Sequence, residues 1–312
     1  MTKDNAFSDA QTESNKKETI VSSYSPTVTK EEERIFQELT KSTNRSGLVL
    51  GIYGLDGTGK SGIVMDARTE EEKEAGKKII IFDLDTSNSI LKSAYHSNDP
   101  NIIVINPYQY ENNKLSYSKT HENIILLLDV LYKKFKPEDI KLICIDTCAK
   151  LLEICKNAMK EELELNYHEM VPTNAWEVRR IKHDAVIDTF MRFDCMKVFV
   201  THYKREMLYK NGIQYDTIYD PKWFEEIPKL VTHRIEMSRD ENYDEETGVK
   251  TILFKGIIKK SRNDITLEEK VYNVGLVKTI NNKYVELPKW KSIIPRLETD
   301  IANKDERMKA IE

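Results

Sequence analysis

Residues 47–61 read GLVLGIYGLDGTGKS. The first half is a short apolar run without alternation, as expected of a strand covered on both faces. The second half has the form G-x-x-x-x-G-K-S, from Gly54 to Ser61, and leads into a helical pattern, KSGIVMDARTEEEKEAG, expected to close near Gly76. Strand, glycine loop and helix in that order form the context a phosphate-binding loop requires. Gly54, Gly57 and Gly59 let the backbone curl so that amides point inward, and Leu55, Asp56, Thr58 and Gly62 complete the loop. The Lys60 ammonium would meet the β- and γ-phosphates, and the Ser61 hydroxyl would ligate Mg²⁺. ATP with Mg²⁺ is the expected cofactor pair. The loop alone does not separate kinases, GTPases, motors and recombinases, all of which carry one.

Working outward, apolar strands alternate with helices. KKIIIFDLD (77–85), NIIVINP (101–107), KLICID (141–146) and MKVFVTH (196–202) read as strands. THENIILLLDVLYKKF (120–135), AKLLEICKNAMKEELEL (149–165) and NAWEVRRIKHDAVIDTFMRF (174–193) read as helices. That alternation predicts an α/β fold with a mostly parallel central sheet flanked by helices. After residue 228 two strand-like runs, KLVTHRIEMSR and VKTILFKGIIKK, flank the polar RDENYDEETG and predict an antiparallel hairpin that extends the sheet. A further hairpin is expected around Asn281-Asn282, before a charged final helix.

Composition narrows the class. The 312 residues carry a formal net charge of −4, with 32% charged and 39% apolar residues, which argues against a constitutively basic nucleic-acid protein but leaves room for a local basic channel. Cys144, Cys148, Cys155 and Cys195 include no C-x-x-C pair, so neither a zinc site nor a disulfide framework is expected. There is no apolar stretch of membrane-spanning length and no signal-peptide core, so a cytoplasmic location is expected, with no membrane partner. Residues 1–28 have the composition of a disordered tail. Residues 29–46 form a short helix and linker, opened by a Thr29–Glu32 capping box with Ile35, Phe36 and Leu39 on one face. Residues 47–265 make the core, and 266–312 a C-terminal extension.

Five further positions carry chemistry. Asp146 ends an apolar strand, where a carboxylate would complete the Mg²⁺ shell or cap the following helix. Thr147 follows it, where many motors and helicases have a water-activating Glu. A base must then come from elsewhere, and Asp83 and Asp85 at the end of IIIFDLD are the candidates if that strand lies beside the loop; a helix-capping role is the alternative. Thr201 and His202 end VFVTH across the sheet from the loop, where a polar side chain would sense the γ-phosphate.

The ordered set GLDGTGKS, IIIFDLDTS, LICIDT, VFVTH, RIEM and a hairpin ending IIKKSRND resembles the RecA-type core ATPases. It is most similar in character to phage and archaeal-virus members with a single RecA-like domain that assists recombination or single-strand annealing. The resemblance covers roughly residues 45–265. It implies an ATP-hydrolysing oligomer, ring or filament, acting on single-stranded DNA, with a single-strand-binding or annealing protein as a possible partner. Asp85 takes the place of the family's catalytic Glu, one methylene shorter. Thr201 or His202 would couple nucleotide to DNA, and Lys259, Lys260 and Arg262 would reach the nucleotide of the next subunit. DNA is expected along the loop after Asp146 and along residues 204–229. The latter segment interleaves Tyr209, Tyr215, Tyr219 and Trp223 with Lys204, Arg205, Lys210 and Lys222, but also holds Glu206, Asp216, Asp220, Glu225 and Glu226. FSDA at 7–10 matches an F-x-x-A docking pattern by which some relatives join a neighbouring core through residues such as Phe7 and Ala10. Two rival readings stand beside this one: a phosphotransferase, disfavoured by the single Arg, Arg205, in the would-be lid, and a non-catalytic nucleotide-binding assembly protein.

Overall fold

The structure is a computed structural model that describes residue 29 and residues 47–166, 168–210, 213–223, 226–262, 264–280, 283–286 and 290–304. The chain divides into Met1–Asn44 and Arg45–Glu312. The expected tail, the helix after Thr29, the FSDA motif and the Asn281-Asn282 turn lie outside the described residues.

The strands are β1 (Val49–Gly54), β2 (Lys78–Asp83), β3 (Ile102–Ile105), β4 (Gln109–Glu111), β5 (Lys114–Ser116), β6 (Ile140–Asp146), β7 (Met196–Lys210), β8 (Ile213–Pro221), β9 (His233–Asp244), β10 (Val249–Ser261), β11 (Val271–Ile280) and β12 (Lys283–Glu286). The helices are α1 (Lys60–Met65), α2 (Glu70–Glu74), α3 (Ser87–Tyr95), α4 (Tyr117–Lys134), α5 (Cys148–Glu162), α6 (Trp176–Met191), α7 (Ile227–Leu230) and α8 (Ile293–Ala302). The main sheet runs β12-β11-β10-β9-β1-β7-β6-β2-β3, with β8 paired to β7. From β9 to β3 every pairing is parallel, and β10, β11 and β12 add antiparallel strands at one side. This is the expected P-loop NTPase fold of RecA-like type.

The unalternating apolar runs are explained by two cores, one on each face of the sheet. Leu50 and Ile52, Ile79 and Ile81, Leu142 and Cys144, and Val198 and Val200 point to one face, against α1 and α8. Ile80 and Phe82, Ile143 and Ile145, and Phe199 point to the other, against α4, α5 and α6. Fully burying an aliphatic or aromatic side chain contributes about 1.5–3 kcal/mol, so the strands are held from both sides. Tyr272, Val274 and Val277 of β11 and Ile293, Ile294 and Leu297 of α8 join the first core, so the C-terminal extension packs with the sheet.

Three local expectations change. The helix after the glycine loop is two helices, broken over residues 66–69, because Thr69 starts a second one: its hydroxyl accepts from Glu72 N at 3.3 Å and its own amide donates to Glu72 Oε2 at 3.0 Å. The segment after His202 is no connecting loop; β7 runs on to Lys210 and turns back as β8. Finally, β2 does not lie beside the loop strand. β7 and β6 stand between β1 and β2, and β7 is the neighbour of β1, pairing Tyr53 with Thr201 and Gly54 with His202.

Candidate functional site

The carboxyl ends of β1, β7, β6 and β2 converge on one cavity of about 780 Å³. Its floor is the glycine loop. Gly54 sits at φ 153°, and a Cβ there would come within 2.2 Å of Met237 O on β9, so glycine allows the loop strand to lie tight against its neighbour. Gly59 caps α1 at φ 87°, in the left-handed region that glycine enters without penalty. Thr58 braces the turn by donating to Leu55 O at 2.8 Å.

Lys60 is buried, and its ammonium donates to the carbonyls of Gly54 at 3.1 Å and Leu55 at 2.7 Å. Burial lowers its pKa, while Asp146, Asp56 and Asp85 work in the opposite direction. The loop carbonyls and the nearby acids hold this buried ammonium at the head of the glycine loop.

Ser61 Oγ donates to Asp146 Oδ2 at 2.7 Å. Asp146 is buried, and burial pushes its pKa up to about 6 against the hydrogen bonds from Ser61 and Asn88. Asn88 Nδ2 donates to Asp146 Oδ2 at 3.0 Å and to Asp83 Oδ1 at 3.1 Å, while its Oδ1 is buried without a protein partner. A hydroxyl, a carboxylate and an orphaned amide oxygen clustered in this way fit a hard cation such as Mg²⁺. Asn88 was not among the residues expected from sequence; an Asn in the first turn of a helix carries no distinguishing pattern.

The two candidate bases differ sharply in surroundings. Asp83 is fully buried and accepts from the amides of Asn88 at 3.3 Å and Ser89 at 3.1 Å and from both of their side chains. It holds the first turn of α3 and does not face the cavity. Asp85 does face it. Its carboxylate accepts from Ser87 N at 3.1 Å and Ser87 Oγ at 2.6 Å, and lies 3.8 Å from His202 Nε2. Partial burial raises its pKa, but His202 and Ser87 overcome this and hold it at about 2. The other ring nitrogen of His202, Nδ1, lies 2.7 Å from Asp56 Oδ1 in the glycine loop. His202 therefore stands between the loop and Asp85. Its neighbour Thr201 points elsewhere: it is buried and donates to Lys222 O at 2.7 Å, just past the end of β8.

Lys259, Lys260 and Arg262 lie toward the opposite end of the sheet from this chain's own loop, since Ser261 pairs with His233 while Gly54 pairs with Met237. Lys259 pairs with Glu269, Lys260 donates to the carbonyls of Pro228 and Val231, and Arg262 donates to Lys229 O. A cation not singled out by sequence is nearer: Arg239 of β9 places Nη1 3.2 Å from where a Cβ on Gly57 would be. Trp223 is packed rather than free, with its ring over Gly51 and edge-on to Tyr53 at 5.6 Å. The side chains of Arg205, Tyr209, Lys210, Tyr215 and Tyr219 lie outside the described residues. Among the cations of α6, Arg179 covers the Trp176 ring and Arg180 pairs with Glu177 at 2.6 Å.

The loop, the buried lysine and the serine–aspartate pair on a mostly parallel sheet define a P-loop NTPase with a RecA-like core. Residues 28–193 match the KAP family P-loop domain, and the chain belongs to that family. Among solved structures, the chain is similar to a KaiC-like protein from the archaeon Pyrococcus horikoshii OT3, at 13% identity over 75% of this chain and 90% of that one, with a TM-score of 0.41. It is also similar to the RadB recombinase, at 9% identity over 73% of this chain and 86% of that one, with a TM-score of 0.37. No curated protein matches it in sequence. Among the described residues no helix is long and apolar enough to cross a membrane.

Proposed function

We propose that the chain is a magnesium-dependent ATPase that works as an oligomer and couples its nucleotide state to a β-hairpin engaging single-stranded DNA. The observation that carries this reading is the continuity of β7. One strand holds His202 against both Asp56 of the loop and Asp85, and then becomes the β7–β8 hairpin. The hairpin's return is pinned to the same point, with Lys222 N donating to His202 O at 2.9 Å and Thr201 to Lys222 O. A shift of His202 therefore moves both roots of the hairpin.

In this scheme the glycine loop and Lys60 bind the triphosphate, displacing the ammonium from the Gly54 and Leu55 carbonyls. Ser61 and Asp146 would hold Mg²⁺, which would neutralise charge on the phosphates. Asp85 orients the attacking water, and a base held near pKa 2 is a weak one, so turnover is slow. In an oligomer Lys259, Lys260 and Arg262 face a neighbour's site, while Arg239 serves the chain's own loop. The test is steady-state ATPase activity and particle size with and without single-stranded DNA, with Lys60→Ala as control. DNA should raise turnover or shift assembly in the wild type alone; no effect on either quantity sinks the DNA coupling.

A second reading, a non-catalytic nucleotide-binding assembly protein, is favoured by one observation: Asp83 is saturated by α3, and Asp85 is engaged by Ser87 and His202. It predicts tight binding with negligible turnover even when DNA is present.

A further inference from the structure

The cavity does not end at the phosphate loop. Beyond Gly62 it is walled by Asp66 at the end of α1, by Leu91, Tyr95 and His96 along and just past α3, and by Phe254 and Trp290. A space of about 780 Å³ is the size that takes a whole drug-like ligand, well beyond what phosphates and a metal ion fill. Phe254 and Trp290 pack at 4.9 Å between centroids with their planes at 55°. An atom of each ring lies 3.7 Å from where a Cβ on Gly59 would be, so the pair reaches the start of α1.

The position of Trp290 is built. Gly275 of β11 makes room for the indole, since a Cβ there would sit 2.8 Å from Trp290 Cε3. On the other side of the same short segment, Lys291 N donates to Val274 O at 2.7 Å and Ser292 Oγ donates to Ile63 O at 2.8 Å, tying it to both β11 and α1. Even so, Trp290 stays 37% exposed and Tyr95 65% exposed. Polar groups stand at the same end of the cavity, with His96 Nε2 3.7 Å from Asp66 Oδ1. Phe254 and Trp290 also fall outside the stretch matched to the family, so the family assignment says nothing of them.

We propose that this aromatic lobe is the nucleobase site, with the base stacked on Trp290 and Phe254, Tyr95 adding a third wall, and the Asp66 carboxylate accepting from an exocyclic amino group. The ligand is thus an aminopurine nucleotide. This rests on the reading of the loop as a triphosphate site and adds the recognition of the base.

The test compares binding of MgATP, MgITP and magnesium tripolyphosphate by calorimetry, since tripolyphosphate has no base and inosine lacks the amino group. The wild type should bind ATP more tightly than either. Trp290→Ala should weaken ATP by about tenfold or more, the scale of a lost base–aromatic stack, and leave tripolyphosphate unchanged. Trp290→Phe should stay close to wild type. Asp66→Asn should erase the preference for ATP over ITP. If Trp290→Ala also loses tripolyphosphate, the damage has reached the loop and Tyr95→Ala decides, because the fold does not need that exposed ring. A ratio of ATP to tripolyphosphate affinity unchanged by Tyr95→Ala, or by a Trp290→Ala protein that still binds tripolyphosphate, overturns the assignment. Wild-type protein that binds neither ATP nor tripolyphosphate instead refutes the nucleotide reading itself.

Discussion

His202→Gln tests the link between the loop, the candidate base and the hairpin. In the wild type Asp85 is held at about 2 against an ordinary 3.8, and His202 shares that work with Ser87. The whole gap corresponds to about 2 kcal/mol in favour of the ionised carboxylate. Because folding lowers this pKa, the contribution is in place above about 3.8 and is lost as the pH falls toward 2. Ser87 remains in the variant, with its amide and hydroxyl on Asp85 Oδ1. His202→Gln should therefore remove about half, roughly 1 kcal/mol at pH 7, and move the Asp85 midpoint part of the way back to the ordinary value. Carboxyl-detected NMR titration of the nucleotide-free protein measures the midpoint, and urea unfolding at pH 7 measures the stability. If the Asp85 midpoint is the same in both proteins, His202 does not govern that carboxylate and the coupling scheme loses its central contact.

Asp146 should set the pH dependence of metal binding. Its carboxyl is held up at about 6 and must ionise to bind Mg²⁺, so affinity at pH 5 should be about tenfold below that at pH 7.5, a loss that Asp146→Asn abolishes along with most binding. The two loop glycines should differ. Gly59→Ala has 3.7 Å of room and pays only for its left-handed backbone, about 1–2 kcal/mol in chemical unfolding, whereas Gly54→Ala collides with Met237 O and should not yield folded protein. Lys141→Ala should cost about 2 kcal/mol in thermal or urea unfolding, because its buried ammonium joins Glu72 at 2.8 Å and Glu298 at 2.6 Å, and Glu72 would keep only the Thr69 amide and a longer contact with Lys77. A cost below about 0.5 kcal/mol would mean that these carboxylates are solvated in the folded state.

The glycine loop, the strand before it and the helix after it were legible because their chemistry is local. Gly54, Gly57 and Gly59 adopt positive φ in the structure, as the loop's curvature requires, and Ser61 donates to Asp146 across 85 residues. The break in the long helical pattern is hidden in the sequence because Thr69 and Glu72 form a capping box inside a run of continuous periodicity. The hairpin after His202 resembles a loop in sequence because its strands mix charged and aromatic residues without a clean period of two. Asn88, Arg239, Phe254 and Trp290 carry no sequence signal, since nothing in their immediate neighbours marks them.

What the sequence by itself determined was the set of elements and the phosphate-binding loop, because periodicity and backbone freedom act over a few residues. The tertiary structure decided which strands became neighbours, and with them the roles of the acids. Placing β7 and β6 between β1 and β2 sets His202 against Asp56 and leaves Asp85 across the cavity from the loop. The start of α3 turns Asp83 inward as a cap and Asp85 outward as the candidate base. Two carboxylates separated by one residue are alike in sequence, and only the packing of a helix against a strand end gives one its hydrogen-bond donors and the other the open site.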